Sequence, residues 1–180
     1  LYVTQAEAFE GYDRYFDLAA ADRDLYRRIL LDGPIRGRYV ALDEIGDAAQ
    51  CQQDELIARF ARFGRKISVA AAQDALESAG LTGGDIRAVV TNTCTGYLCP
   101  GMSSYLAEEL DLPPSVRVFD LVGMGCGGAM PNWDCAIGAL ARGGPVLSVS
   151  FEVCSATMFM GSEPDLVISD VMMPRMDGYE

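Results

Sequence analysis

Histidine is missing from all 180 residues. Its absence removes the side chain that most often activates a nucleophile or helps bind zinc. Basic residues are scarce as well, 14 Lys and Arg against 26 Asp and Glu, for a net charge of −12. That balance argues against nucleic acid or an anionic membrane as the main partner. No apolar run approaches the roughly 20 residues that a membrane-spanning helix needs. No Cys-x-x-Cys pair occurs among the six cysteines at 51, 94, 99, 126, 135 and 154. Metal-site and redox-motif readings are therefore weak, and no resident metal or cofactor is expected. The first residue is Leu1 and no basic-then-apolar signal segment opens the chain, so a cytoplasmic setting is expected. Internal repeats and low-complexity tracts are absent too.

What the chain does have is apolar content. Half of it is hydrophobic, enough for a packed core in one good-sized domain or a domain plus a fragment. Thr4 followed by Glu7 predicts a capping box, opening a helix with Phe9, Tyr12, Phe16 and Leu18 at helical spacing. A second helix is predicted around Asp22–Leu31, stopped by Asp32-Gly33-Pro34. Residues 33–46 read as irregular and basic. Helical patterns resume over Asp54–Phe63 and Ile67–Ala79, the latter closed by Gly80.

From there the rhythm changes. Strands are predicted at Ile86–Thr93, Val116–Val122 and Val146–Phe151, with helices between them at Ser103–Leu110 and Ala129–Arg142. Strands alternating with helices over short connections indicate a layered α/β unit with parallel pairing.

Three strand ends carry chemistry. Cys126 lies in Gly123-Met124-Gly125-Cys126-Gly127-Gly128, between a predicted strand and a predicted helix. A thiol at a helix N-terminus gains from the positive end of the dipole, and the nearby amides suit a thioester oxyanion. A small buried residue in a tight turn is the alternative. The second cluster, Thr93 to Gly101, follows the first predicted strand. It places small polar residues where α/β folds bind ligands, although an ordinary Pro-Gly turn would read the same. The third, Phe151 to Thr157, includes Glu152, which either orients a neighbour or is simply solvated.

Thr95-Gly96 … Pro100-Gly101, Gly125-Cys126-Gly127 and Glu152 … Thr157 together resemble, in order and spacing, the type III polyketide synthases. These are chalcone-synthase-like members of the thiolase-fold condensing enzymes, and the resemblance covers residues ~27–159. It implies an α/β fold: a layered thiolase-like half-fold with a mostly parallel sheet and helices. It further implies an acyltransferase in which Cys126 is loaded from an acyl-CoA and the acyl group is extended by decarboxylative Claisen condensation with malonyl-CoA. By the same resemblance, Cys94, Thr95, Cys154 and Thr157 match positions lining the acyl cavity. Cys99 matches one that reaches across a homodimer interface. Arg28, Arg36 and Arg38 match basic contacts to CoA phosphates, although a solvated basic face is the commoner arrangement of such residues. The family's catalytic histidine and asparagine lie in the second half of its fold, and this chain has no histidine, so these 180 residues are not expected to condense by themselves.

The last segment has a different texture. Pro164 to Asp170, then Met173-Pro174 and Asp177-Gly178, resembles the phosphoacceptor strand and loop of response-regulator receiver domains, with Asp170 as the phosphorylated aspartate. A receiver also uses Mg²⁺ held by an acidic pair, and Glu108-Glu109 is the only adjacent pair of identical acids here. The expected division is therefore a truncated thiolase-fold domain at 1–160 and a receiver-like fragment at 161–180. Phosphotransfer signalling is the alternative function. A half-fold also predicts an open sheet edge and exposed apolar surface.

Overall fold

The computed structural model describes residues 1–16, 18–49 and 52–157. Cys51 and the receiver-like stretch with Asp170 lie outside the described residues.

The predicted capping box opens α1 (Gln5–Tyr15). The Thr4 hydroxyl accepts from the Glu7 amide at 3.2 Å, and the Glu7 carboxylate accepts from the Thr4 amide at 2.8 Å. Two otherwise orphaned donors are thereby satisfied. Helix α2 (Ala20–Leu31) packs alongside, with Tyr26 stacked on Tyr12 at 4.9 Å and Arg23 paired with Asp13 at 2.6 Å.

Residues 33–46, read as irregular, contain a short strand. β2 (Gly37–Tyr39) runs antiparallel to β1 (Tyr2–Thr4), with Val3 opposite Arg38. Three residues are too few for an alternating pattern to show, and the pairing partner is the distant N-terminus. The two helical patterns at 54–63 and 67–79 are one helix, α3 (Gln53–Ala79), about 40 Å long. Gly64 interrupts the pattern but not the helix, because it sits against Met102 and Phe151, where a Cβ would already be in contact at 3.4 Å. Gly80 ends the helix at φ 65°, and the Leu81 amide bonds back to the Leu76 carbonyl at 3.0 Å.

The functional part is a three-stranded parallel sheet of β3 (Ala88–Thr93), β4 (Arg117–Val122) and β5 (Val146–Ser150), in the order β4-β3-β5. Every residue of central β3 is buried, as expected of a strand covered on both faces. On one face α3 and α4 (Met102–Glu109) enclose the core. Phe60, Leu76, Ile86, Val89, Leu106, Leu147 and Val149 are buried there together. The alternation of side chains along β3 turns Val90 and Asn92 to the other face, which α5 (Ala129–Leu140) covers. The short helix α6 (Cys154–Thr157) rests on α3.

The outer face of α5 has no cover among the described residues. Met130, Trp133, Ile137 and Leu140 form a stripe at helical spacing, with Trp133 62% and Ile137 63% exposed. Edge strand β4 also exposes Val118 and Val122. The expected open edge and bare apolar surface are both present among the described residues.

Candidate active site

Parallel pairing brings three strand ends together. Thr93 is opposite Val122 and Asn92 is opposite Ser150, so the loops that follow β3, β4 and β5 emerge side by side. Each holds one of the singled-out residues: Cys94, Cys126 and Glu152.

Glu152 ties two of these loops. Its carboxylate accepts from the Cys94 amide at 2.9 Å, the Thr95 amide at 3.1 Å and the Thr93 hydroxyl at 3.2 Å. The Thr95 hydroxyl in turn accepts from the Val153 amide at 2.9 Å. Of the two readings open for Glu152, orienting its neighbours is the one its partners support. The Cys94 thiol is pushed up to about 11, first by its hydrogen bond to Glu152, then by desolvation, the carboxylate charge and neighbouring Cys126.

Cys126 occupies a single 3₁₀ turn (Gly125–Gly127) immediately ahead of α5. Its side chain is exposed, not buried among hydrocarbon, so the alternative of a small buried residue is set aside. Gly125 has φ 61°, a conformation that a side chain would strain, which is why the bend carries glycine. Gly128 lies so close to β3 that a Cβ would sit 3.0 Å from Asn92 Nδ2. The head of α5 thus approaches the end of β3, just ahead of Cys94, and Cys126 adds to the upward push on the Cys94 thiol.

Beneath this mouth lies a buried polar network that the sequence reading missed. Asn132, on α5, is fully buried. Its Nδ2 donates to Asn92 Oδ1 at 2.7 Å and to the Val149 carbonyl at 3.3 Å. The Ser148 hydroxyl donates to Asn132 Oδ1 and the Ser150 hydroxyl to Asn92 Oδ1, each at 2.6 Å. The helix behind Cys126 is thereby held in register with two strands. The signal was present in Thr91-Asn92-Thr93, three consecutive polar residues within a strand that is otherwise apolar.

On the opposite face Asp120, also missed, accepts from the Thr91 hydroxyl at 2.7 Å, the Ser103 amide at 3.0 Å and the Ser103 hydroxyl. A carboxylate at the first turn of α4 is favourable, and here it fixes that turn against the sheet. A cavity of about 210 Å³ opens beside it, lined by Thr93, Tyr97, Cys99, Asp120, Val122 and Phe151 among others. Cys99 lines this cavity; Cys94, Thr95, Cys126, Cys154 and Thr157 do not. Cys154 is exposed at the start of α6. Its neighbour Ser155 accepts from the Ala41 amide at 2.8 Å, and Thr157 is half-buried. Arg28 on α2 and Arg36 and Arg38 around β2 are exposed, and none of them lines the cavity.

Glu108 and Glu109, the acidic pair considered for Mg²⁺, both reach Arg65, Glu108 at 3.6 Å. Among the described residues no cluster of three or more acidic or cysteine side chains is arranged to hold a metal ion. No helix among them is long and apolar enough to cross a membrane.

The family model described as FAE1/Type III polyketide synthase-like protein matches residues 48–179. Phloroglucinol synthase of Pseudomonas fluorescens is 31% identical over 135 residues, covering 73% of this chain and 38% of the relative. The 1,3,6,8-tetrahydroxynaphthalene synthase of Streptomyces peucetius subsp. caesius is 30% identical over 147 residues, 77% of this chain and 37% of that one. The chain thus spans less than two fifths of the length of these relatives. Among solved structures, a type III pentaketide synthase from Neurospora crassa superposes with a TM-score of 0.71 at 24% identity, over 87% of this chain and 44% of the other. At that identity the likeness speaks for the fold, a thiolase-like mixed α/β arrangement around a parallel sheet. Because the family match takes in well over half of the 180 residues, the chain belongs to the FAE1/type III polyketide synthase-like family.

Proposed function

We propose that this chain is the nucleophile-bearing part of a type III polyketide synthase, with Cys126 as the acyl acceptor. The observation that carries the reading is the exposed thiol of Cys126 in a glycine turn at the head of α5. Two strand-end loops laced by Glu152 stand beside it. In the loading step the Cys126 sulfur adds to the thioester carbonyl of an acyl-CoA. The bond to the CoA sulfur then breaks, and CoA leaves as a thiolate that takes up the proton Cys126 surrendered. Amides at the start of α5 stabilise the tetrahedral oxyanion.

In this reading Cys94, Thr95, Cys154 and Thr157 meet the acyl chain outside the cavity of about 210 Å³, which Cys99 alone of the five lines, and Arg28, Arg36 and Arg38 hold the CoA phosphates. The complete enzyme is a homodimer that extends the acyl group with decarboxylated malonyl-CoA. That later step calls for donors that stabilise an enolate, which a thiolate does not supply. These 180 residues by themselves therefore load but do not condense.

Intact mass of the purified chain after incubation with a panel of acyl-CoA esters tests the loading step. An adduct of the acyl mass is expected on the tryptic peptide 118–142, absent in Cys126→Ala. No adduct from any ester, on protein whose Cys126 still reacts with iodoacetamide, would overturn the assignment. Polyketide released from malonyl-CoA by this chain alone would refute the division between loading and condensation.

A further inference from the structure

The head of α5 holds a second feature that acyl loading does not use. Cys94 and Cys126 are far apart in sequence, yet β3 and β4 are parallel neighbours with Thr93 opposite Val122. The residue after one strand therefore meets the turn after the other. The head of α5 closes on β3 at Gly128, where a Cβ would sit 3.0 Å from Asn92 Nδ2, so the loop of Cys94 and the turn of Cys126 are neighbours; both thiols are exposed and free. Their backbones differ in a useful way. The Cys94 amide is anchored on the Glu152 carboxylate. Cys126 lies between Gly125 and Gly127, and a Cβ on Gly123, Gly125 or Gly127 would have nothing within 4 Å. One thiol is fixed while the other sits in a turn with open space to shift, which is what closing an S–S bond from a non-bonded contact requires.

We propose that Cys94 and Cys126 are a redox pair: hydrogen peroxide converts them to a reversible intramolecular disulfide that withdraws Cys126 from acyl loading. The clause on loading rests on the proposed function; the disulfide itself does not. In the first step the Cys126 sulfur breaks the O–O bond of peroxide, becoming a sulfenic acid, and one water is released. The Cys94 sulfur then attacks the sulfenic sulfur. The S–S bond forms, the S–O bond breaks, and the departing hydroxide takes the Cys94 proton as a second water. Two thiols and one peroxide become one disulfide and two waters, and a dithiol reductant restores both thiols by exchange. Without Cys94 the sulfenic acid loses the thiol at the neighbouring strand end, and a second peroxide oxidises it to the irreversible sulfinic acid, releasing one more water.

The test is mass spectrometry of the reduced 180-residue chain treated with hydrogen peroxide, blocked with iodoacetamide and digested with trypsin. Residues 88–117 carry Cys94 and Cys99, and residues 118–142 carry Cys126 and Cys135. A cross-link between these peptides is expected, placed at Cys94–Cys126 by fragmentation, removed by dithiothreitol and retained in the Cys99→Ser/Cys135→Ser double variant. Acyl-CoA labelling of Cys126 should disappear and return in step with it. In Cys94→Ser, and again in Cys94→Ala, the link should be absent and Cys126 should carry two added oxygens. Sulfinic acid at Cys126 of the unsubstituted chain without any link to Cys94, or a link confined to other cysteines, overturns the proposal. The cross-link is read by mass whether or not Cys126 accepts acyl groups. A chain that cross-links but never acylates would therefore sink the loading reading alone.

Discussion

The two faces of the parallel sheet solve the problem of burial by opposite means. Against α3 and α4 the interface is mostly hydrocarbon, with buried Ser68 and the cluster of Asp120 with its hydroxyl and amide partners as polar exceptions. Against α5 the polar groups are inside, in the Asn92–Asn132–Ser148–Ser150 network, and the large apolar side chains point outward. The first arrangement holds the domain together. The second aims one helix at the strand end where Cys126 emerges, and leaves the far side of that helix bare.

Substitutions on each face should separate these roles. Phe60→Ala, on the hydrocarbon side, should cost about 3–5 kcal/mol, because its cavity cannot drain to solvent. Urea denaturation reads this directly, and a loss under about 1 kcal/mol would mean that the α3 side is not the core. Asn132→Ala should cost less, about 1–3 kcal/mol, by taking away the acceptor of the Ser148 hydroxyl and one of the two donors to Asn92 Oδ1. Its signature should be altered reactivity of Cys126 toward iodoacetamide, which Phe60→Ala should leave unchanged if the protein is still folded. Equal changes in the two variants would erase the distinction between the faces.

Where the faces meet, at the strand ends, Glu152 offers a pH test. A thiol held up at about 11 is overwhelmingly neutral below that pH, so alkylation of Cys94 should climb tenfold per pH unit from 7 toward about 11. Glu152→Gln removes the largest cause of the rise and should speed alkylation of Cys94 at pH 8 by roughly tenfold or more. Mass mapping of a time course decides it; an unchanged rate would show that the carboxylate does not govern this thiol. The smallest effect on stability is expected from Ile137→Glu on the outer stripe, within about 0.5 kcal/mol. The unsubstituted chain should self-associate with rising concentration, and this variant should do so less by sedimentation velocity. A chain that is already monomeric at high concentration would mean that the stripe is not sticky.

Much of this was legible in the residues. The apolar runs at 86–93, 116–122 and 146–151 marked their strands because each is long enough to show its character and is bounded by turn residues. The exposed turn at Gly125-Cys126-Gly127 was legible because glycines on both sides favour a bend over packing. β2 was not, since three residues carry no period. The continuity of α3 was hidden by Gly64, whose lack of a side chain reads as a break until the tight approach of Met102 and Phe151 is known. Asp120 and Asn132 escaped because their importance lies in partners on other elements: Thr91 and Ser103 for one, Asn92 and Ser148 for the other. The neighbouring of the Cys94 loop and the Cys126 turn escaped for the same reason, since it comes from strand order and from no local spacing.

Glu152 has one more consequence. By accepting from the Cys94 and Thr95 amides and the Thr93 hydroxyl at once, it acts as a strut between the loops that follow β3 and β5. Neither loop can shift without dragging the other, so a disturbance at the end of β5 is felt at Cys94.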